Sequence, residues 1–178
     1  KTKSFEFIAM RLFINTDKFF IDKLNKERFQ TFESLMYALD ALHGLSFDDR
    51  RFYFDPINQY FLPIYYDGSS HIMSKKGVHG LDYISARAST DAKVGAIKAI
   101  KLIKNINHDI FRKKLFDLGI NLSFQDYDKL IKKIITRLEV VSNAEPDPVE
   151  FLKMKKYFSG INSDIVKNRK LIFVNYNK

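Results

Sequence analysis

The chain has 178 residues, enough for one domain or one large lobe, and 46% of them are apolar, which is ample for a core. Seventeen Phe and nine Tyr with no Trp make that core aromatic, and the lack of cysteine excludes disulfides, zinc–thiolate sites and thiol nucleophiles. Thirty Lys and Arg against 21 Asp and Glu leave a net charge of +9, a field that attracts polyanions, nucleotides and acidic proteins.

The cations are dispersed along the chain, as Lys75-Lys76, Lys93, Lys98, Lys101, Lys104, Arg112-Lys113-Lys114 and Lys132-Lys133. That spacing marks solvated helix faces, so nucleic acid is not the expected partner. No apolar run approaches the ~18 residues of a membrane span. Lys1-Thr2-Lys3-Ser4 leads into a mixed strand and does not read as a signal peptide. With no initiator Met, the chain is expected to be a piece of something longer.

In chain order, Phe5 to Ile14 reads as a strand, and Asn15-Thr16-Asp17 offers caps for a helix to about Leu24. A longer helix is predicted from Lys26 to Leu42. Phe29, Phe32, Met36 and Leu39 recur at helical spacing there, with Leu35 and Leu42 widening the stripe, and Gly44 ends it. Phe52-Tyr53-Phe54 is a β-prone run, and Asp55-Pro56-Ile57-Asn58 fits a type I turn. Tyr60 to Tyr66 forms the return strand, stopped by Asp67-Gly68. From Ser69 to Thr90 periodicity fails, which predicts a long irregular segment. His71 and His79 in it lack a carboxylate at ligand spacing and are not expected to chelate a metal.

The second half is predicted helical. Ser89 caps a helix to about Lys104 with Val94, Ile97, Ile100, Leu102 and Ile103 on its apolar side. A second helix runs from His108 to Leu118 and stops at Gly119. Ser123 caps a third, whose Tyr127, Leu130, Ile131, Ile134, Ile135 and Leu138 form a broad stripe. A short basic helix from Val149 to Phe158 and a strand from Lys170 to Tyr176 close the reading.

No Gly-rich phosphate loop and no nucleophile elbow occurs in the chain. The chemistry concentrates between Leu42 and Gly68, LHGLSFDDRRFYFDPINQYFLPIYYDG. A hairpin that delivers a carboxylate at a strand end is how many phosphotransferases hold the magnesium that bridges nucleotide phosphates, while by itself this one reads equally as a plain solvent-edge hairpin with Asp67-Gly68 as an ordinary turn. Phosphoryl transfer asks little covalent chemistry of the protein: carboxylates for the metal, a group to orient the acceptor hydroxyl, and a cation for phosphate. Asp49 and Asp67 offer the first, His43 or Asp48 the second, and Arg50 or Arg51 is close enough in sequence for the third, although an Arg beside Asp49 more often forms a structural ion pair.

This segment resembles the catalytic core of the CotH family of spore-coat and cell-surface kinases, a divergent branch of the protein-kinase-like fold. In that family a catalytic loop carries an Asp and then an Asn, a hairpin with a DP turn follows, and a strand ends in a metal-binding Asp. The DP turn matches Asp55-Pro56 and the metal-binding Asp matches Asp67. The family's Asn falls on Asp49, which can still offer oxygen to a hard cation. The catalytic Asp falls near Gly44, where no carboxylate stands, so either His43 or Asp48 takes that role or the base is missing.

The resemblance implies an α+β fold, the predominantly helical C-terminal lobe of a kinase-like domain over residues 1–158, with 159–178 as an extension. It further implies Mg²⁺ and ATP as cofactors, Asp49 and Asp67 as metal ligands, and Arg50 and Gly68 at the phosphates. His43 and Asp48 are the implied catalytic groups and a protein hydroxyl the acceptor, at a cell or spore surface. The phosphate-binding Lys and its Glu partner would lie before Lys1. The alternative is a non-catalytic, pseudokinase-like scaffold or binding domain.

Overall fold

The computed structural model describes residues 23–46, 49–55, 57–58, 60–74, 79–145, 147 and 149. Among them the chain is mostly helical with one small antiparallel sheet. The elements are helix α1 (Lys23–Ala38), a 3-10 turn (Leu42–Leu45), strands β1 (Arg51–Asp55) and β2 (Tyr60–Ile64), and helices α2 (Leu81–Arg87), α3 (Thr90–Lys104), α4 (His108–Asp117) and α5 (Phe124–Ser142). The expected strands at 5–14 and 170–176 and the boundary at 159 lie outside the described residues, as do all but the first residue of the helix at 149–158 and most of the helix read from Asn15 to Leu24.

Helix α1 is the hub, packed against α3, α5 and β2. Its predicted stripe faces inward, with Phe29, Met36 and Leu42 buried and Phe32, Leu35 and Leu39 half-buried. Tyr37 and, from α5, Leu138 and Val141 are fully enclosed in the same cluster. Each such aliphatic side chain contributes about 1.5–3 kcal/mol by leaving water.

The helix ends earlier than the stripe suggests, at Ala38 and not at Leu42. Asp40 takes the left-handed conformation (φ 53°). Its N–H donates to the Tyr37 carbonyl at 3.2 Å, and that of Ala41 to the Met36 carbonyl at 2.8 Å. This is a Schellman ending with Asp where glycine is usual. Leu42 remains apolar and buried, but on the 3-10 turn that follows.

Helix α3 corrects a second expectation. The face it buries most deeply is Ala92, Gly95, Ala96 and Ala99; of the expected side chains Ile100 and Ile103 pack half-buried against the core, while Val94, Ile97 and Leu102 are half or more exposed. Small side chains win because they let two helix backbones approach. A Cβ built on Gly95 would lie 1.9 Å from the Gln30 carbonyl oxygen. Polar ties cross the same seam, from Ser89 Oγ to Glu33 Oε1 at 2.8 Å and from Gln30 Nε2 to Asp91 Oδ1 at 2.5 Å.

The caps read from sequence are in place: the Ser89 and Ser123 hydroxyls accept from the N–H groups of Ala92 and Asp126. Within the segment expected to be irregular, Leu81–Arg87 forms the short helix α2. The hairpin has the register Arg51↔Ile64 to Asp55↔Tyr60. Asp55 Oδ1 accepts from the Ile57 and Asn58 amides at 2.9 and 3.1 Å, which holds the turn. Phe52 meets Phe29 of α1 with ring centroids 6.2 Å apart, seating the hairpin on the helix.

Candidate cation site at the hairpin exit

Two loops meet at glycines. A Cβ on Gly44, in the 3-10 turn, would stand 3.3 Å from Gly68 Cα and 3.5 Å from the Tyr66 carbonyl, so a bare backbone there brings the loop after β2 against the loop after α1. The second loop is tied down from its far side. Ser70 Oγ donates to the Leu39 carbonyl at 2.7 Å and the His71 amide to that of Asp40 at 3.3 Å. The left-handed residues in it are Asp67 (φ 41°) and Ser69 (φ 47°). Gly68 between them is buried, and its lack of a side chain serves close approach, since a Cβ would fall 2.4 Å from the Tyr65 ring.

This junction brings His43, Asp49 and Asp67 together: one potential ligand atom from each lies within 4.8 Å of the other two. His43 Nδ1 is 2.5 Å from Asp49 Oδ2, with the imidazole 48% and the carboxylate 13% exposed. Ser46, itself buried, donates through Oγ to the same Asp49 oxygen at 2.8 Å, and its carbonyl accepts from the Arg50 amide at 3.0 Å. Asp49 is thus oriented from two sides while Asp67 stands open to solvent.

Arg50 corrects the sequence reading. Expected at a phosphate, it is 5% exposed and donates from Nη2 to the Leu45 carbonyl at 2.8 Å. Burial lowers its pKa from the usual guanidinium value and the nearby Glu33 carboxylate opposes that shift. Its work is to hold the 3-10 turn on the core. Arg51, the next residue, is exposed and lies over the Tyr66 ring at 4.8 Å, one residue from Asp67. Asp48 lies outside the described residues.

Sequence reasoning missed the scaffold under the site. The Asp40 carboxylate, fully buried, accepts from the His79 amide at 3.0 Å, lies 2.6 Å from His79 Nδ1 and 3.7 Å from Arg137 Nη2. Burial lowers the Arg137 guanidinium from its ordinary value and Asp40 opposes it. One signal was present: Arg137 falls on the buried face of α5 between Ile134 and Leu138. A charge on an apolar stripe needs a buried partner. No family model, no curated protein and no solved structure matches the chain.

Proposed function

We propose that this chain is the C-terminal lobe of a CotH-like atypical kinase that transfers a phosphoryl group from Mg²⁺-ATP to a protein hydroxyl. The observation that carries the reading is the convergence of His43, Asp49 and Asp67 at the hairpin exit. Two ligands of one magnesium ion stand at most ~4.2 Å apart, twice the Mg–O distance. The 4.8 Å spread therefore closes with small side-chain movements, and the donor set fits a divalent cation. Bound there, such a cation would offset charge on the phosphoryl oxygens.

The protein's own part is division of labour. Asp67, exposed, and Asp49, held by Ser46, bind the cation. His43 presents its remaining ring nitrogen to the acceptor hydroxyl and takes its proton, and Asp49 beside Nδ1 stabilises the imidazolium that results. Arg51, stacked on Tyr66 and donating from Nη1 to the Arg50 carbonyl, takes the place of the buried Arg50 as the cation for phosphate.

The non-catalytic reading is favoured by one specific observation. His43 Nδ1 is so close to Asp49 that a cation held by Asp49 could take the imidazole as a third ligand, leaving no base among these residues. Radiolabelled phosphate transfer from ATP to a protein acceptor, assayed with the full-length protein, separates the two. Transfer that Asp67→Ala abolishes supports the kinase. A Mg²⁺-ATP thermal shift without transfer gives the scaffold, and no shift with either Mg²⁺ or Mg²⁺-ATP removes both.

A further inference from the structure

His79 comes from the stretch without periodicity and does not belong to the group formed by His43, Asp49 and Asp67. It is nonetheless held at every polar atom but one. Its amide donates to Asp40 Oδ2 at 3.0 Å, and its carbonyl accepts from Arg137 Nη1 at 2.8 Å. Nδ1 of the ring lies 2.6 Å from Asp40 Oδ1, and the ring stacks on Tyr83 with centroids 4.1 Å apart. Backbone and side chain are both fixed on one fully buried carboxylate, although the imidazole itself is 42% exposed. Such contacts are what orienting another group requires.

The group held is a backbone in a conformation that side chains oppose. Asp40 has φ 53°, a left-handed geometry that glycine takes freely and other residues keep where their surroundings impose it. No glycine stands at this helix end, so the carboxylate supplies the constraint, with His79 on both oxygens and Arg137 Nη2 3.7 Å away. The turn at Asp40 then aims two carbonyls at the loop after β2. That of Leu39 accepts from Ser70 Oγ at 2.7 Å and that of Asp40 from the His71 amide at 3.3 Å. Ser70 follows Asp67 by three residues, across the left-handed Ser69.

The two carboxylates of the cation site differ in what fixes them. Asp49 accepts from the Ser46 hydroxyl. Among the described residues the Asp67 side chain makes no hydrogen bond or ion pair, so its loop sets where it stands. Lys133 Nζ donates to the Ile72 carbonyl at 2.7 Å and steadies the farther part of that loop. The anchors nearest Asp67 are the two that Asp40 aims.

We infer that His79 is a positioning residue for the cation site: by fixing the Asp40 carboxylate it holds the turn that keeps Asp67 near Asp49. The role rests on the cation site proposed above. Groups that orient a metal ligand without touching the ion change its affinity by about 10–100-fold when removed.

Calorimetric titration of the 178-residue protein with Mn²⁺ tests the role. His79→Ala should weaken binding about 10-fold. His79→Asn, whose side-chain amide can donate to Asp40 in place of Nδ1, should restore most of it. Gly95→Ala controls for general loosening, since it lowers the thermal midpoint from the α1–α3 seam and should leave Mn²⁺ affinity unchanged. Titrating well below each variant's midpoint keeps every protein folded. Unchanged affinity in His79→Ala, with Mn²⁺ bound by the unaltered chain, overturns the role and leaves the cation site standing. So does an Asn variant as weak as the Ala variant, or an equal loss in Gly95→Ala. An unaltered chain that binds no Mn²⁺ removes the cation site and the role of His79 with it.

Discussion

Arg137 Nε donates to the carbonyl of Ala38 at 2.7 Å, joining the middle of α5 to the last residue of α1. The same guanidinium reaches the Tyr37 carbonyl at 3.2 Å and that of His79 at 2.8 Å. Helix ends leave carbonyls without intrahelical partners. Here a side chain from across the core satisfies that of Ala38 and adds a second donor to that of Tyr37, which already accepts the Asp40 N–H, while standing beside the buried Asp40 carboxylate. The next backbone groups, at Leu39 and Asp40, anchor the loop that carries Asp67.

Arg137→Leu should therefore destabilise the fold by about 3–5 kcal/mol, since it leaves a buried carboxylate and helix-end carbonyls without their cation. Urea unfolding measures it. Asp40→Asn combined with Arg137→Leu should recover part of the loss, because the stranded charge is then gone. A double variant no better than Arg137→Leu alone would place the cost in the lost carbonyl bonds.

At the α1–α3 seam, Gly95→Ala should destabilise even though alanine is the better helix former by roughly 1 kcal/mol. The added carbon would meet the Gln30 carbonyl oxygen at 1.9 Å and its carbon at 2.2 Å, both backbone atoms that cannot swing aside. A net loss of about 1–3 kcal/mol is expected from overpacking. Val94→Ala, on the exposed face of the same helix, should stay within about 0.5 kcal/mol. Thermal melts of the two variants decide it.

Tyr37 sets an alkaline limit. Its hydroxyl donates to the Arg87 carbonyl at 2.9 Å. Burial pushes its pKa well above the ordinary tyrosine value, with Glu33 and Tyr83 adding to the shift and Arg87 opposing it. A folded-state value above the unfolded one means the stabilisation is complete below about pH 10 and fades as pH climbs toward the folded value. Tyr37→Phe should cost about 1 kcal/mol at neutral pH through the lost hydrogen bond. It should also flatten the decline in stability above pH ~10, with a residual slope from Tyr127, whose pKa burial also raises. Unfolding free energies measured from pH 7 to 11 test both.

What the sequence made legible was local. Ser89 and Ser123 were readable as caps because an N-cap needs only its own next turn. The hairpin was readable because Asp55 holds its turn with its own side chain. His43, Asp49 and Asp67 emerged from one short segment, and a glycine on each loop lets them meet. Where partners lie far along the chain, pattern failed. Asp40 ends α1 because His79 and Arg137 satisfy its carboxylate, and neither is visible from its neighbours. The inner face of α3 was read only in part, at Ile100 and Ile103, because the rule favours large apolar side chains, whereas Gly95 and three alanines win the closest approach to α1. Arg50 and Arg51 look alike in sequence, and packing sends one inward and the other over Tyr66.

The site itself is tested by variants that separate holding a cation from moving a proton. Asp67→Ala removes the exposed carboxylate proposed to hold the cation and touches no core packing, so in the full-length protein transfer should be lost outright, with a folding cost of no more than about 1 kcal/mol from alanine at the left-handed φ of 41°. The metal clamp is worth several kcal/mol in the transition state. Asp49→Ala should also abolish transfer, but at a cost in stability, because the buried Ser46 hydroxyl loses its acceptor, and it frees the His43 ring, whose Nδ1 is 2.5 Å from that carboxylate. If His43 moves the proton, His43→Ala should lower kcat on the order of 100-fold while Mn²⁺ affinity, read by calorimetry, changes little. If His43 instead ligates the cation, the pattern inverts: Mn²⁺ binding weakens and its electron-spin-echo spectrum loses the nitrogen coupling seen in the unaltered protein. An unchanged rate in His43→Ala, with Mn²⁺ binding intact, would move the acceptor-orienting role to Asp48. Absence of Mn²⁺ binding in the unaltered chain would remove the cation site altogether.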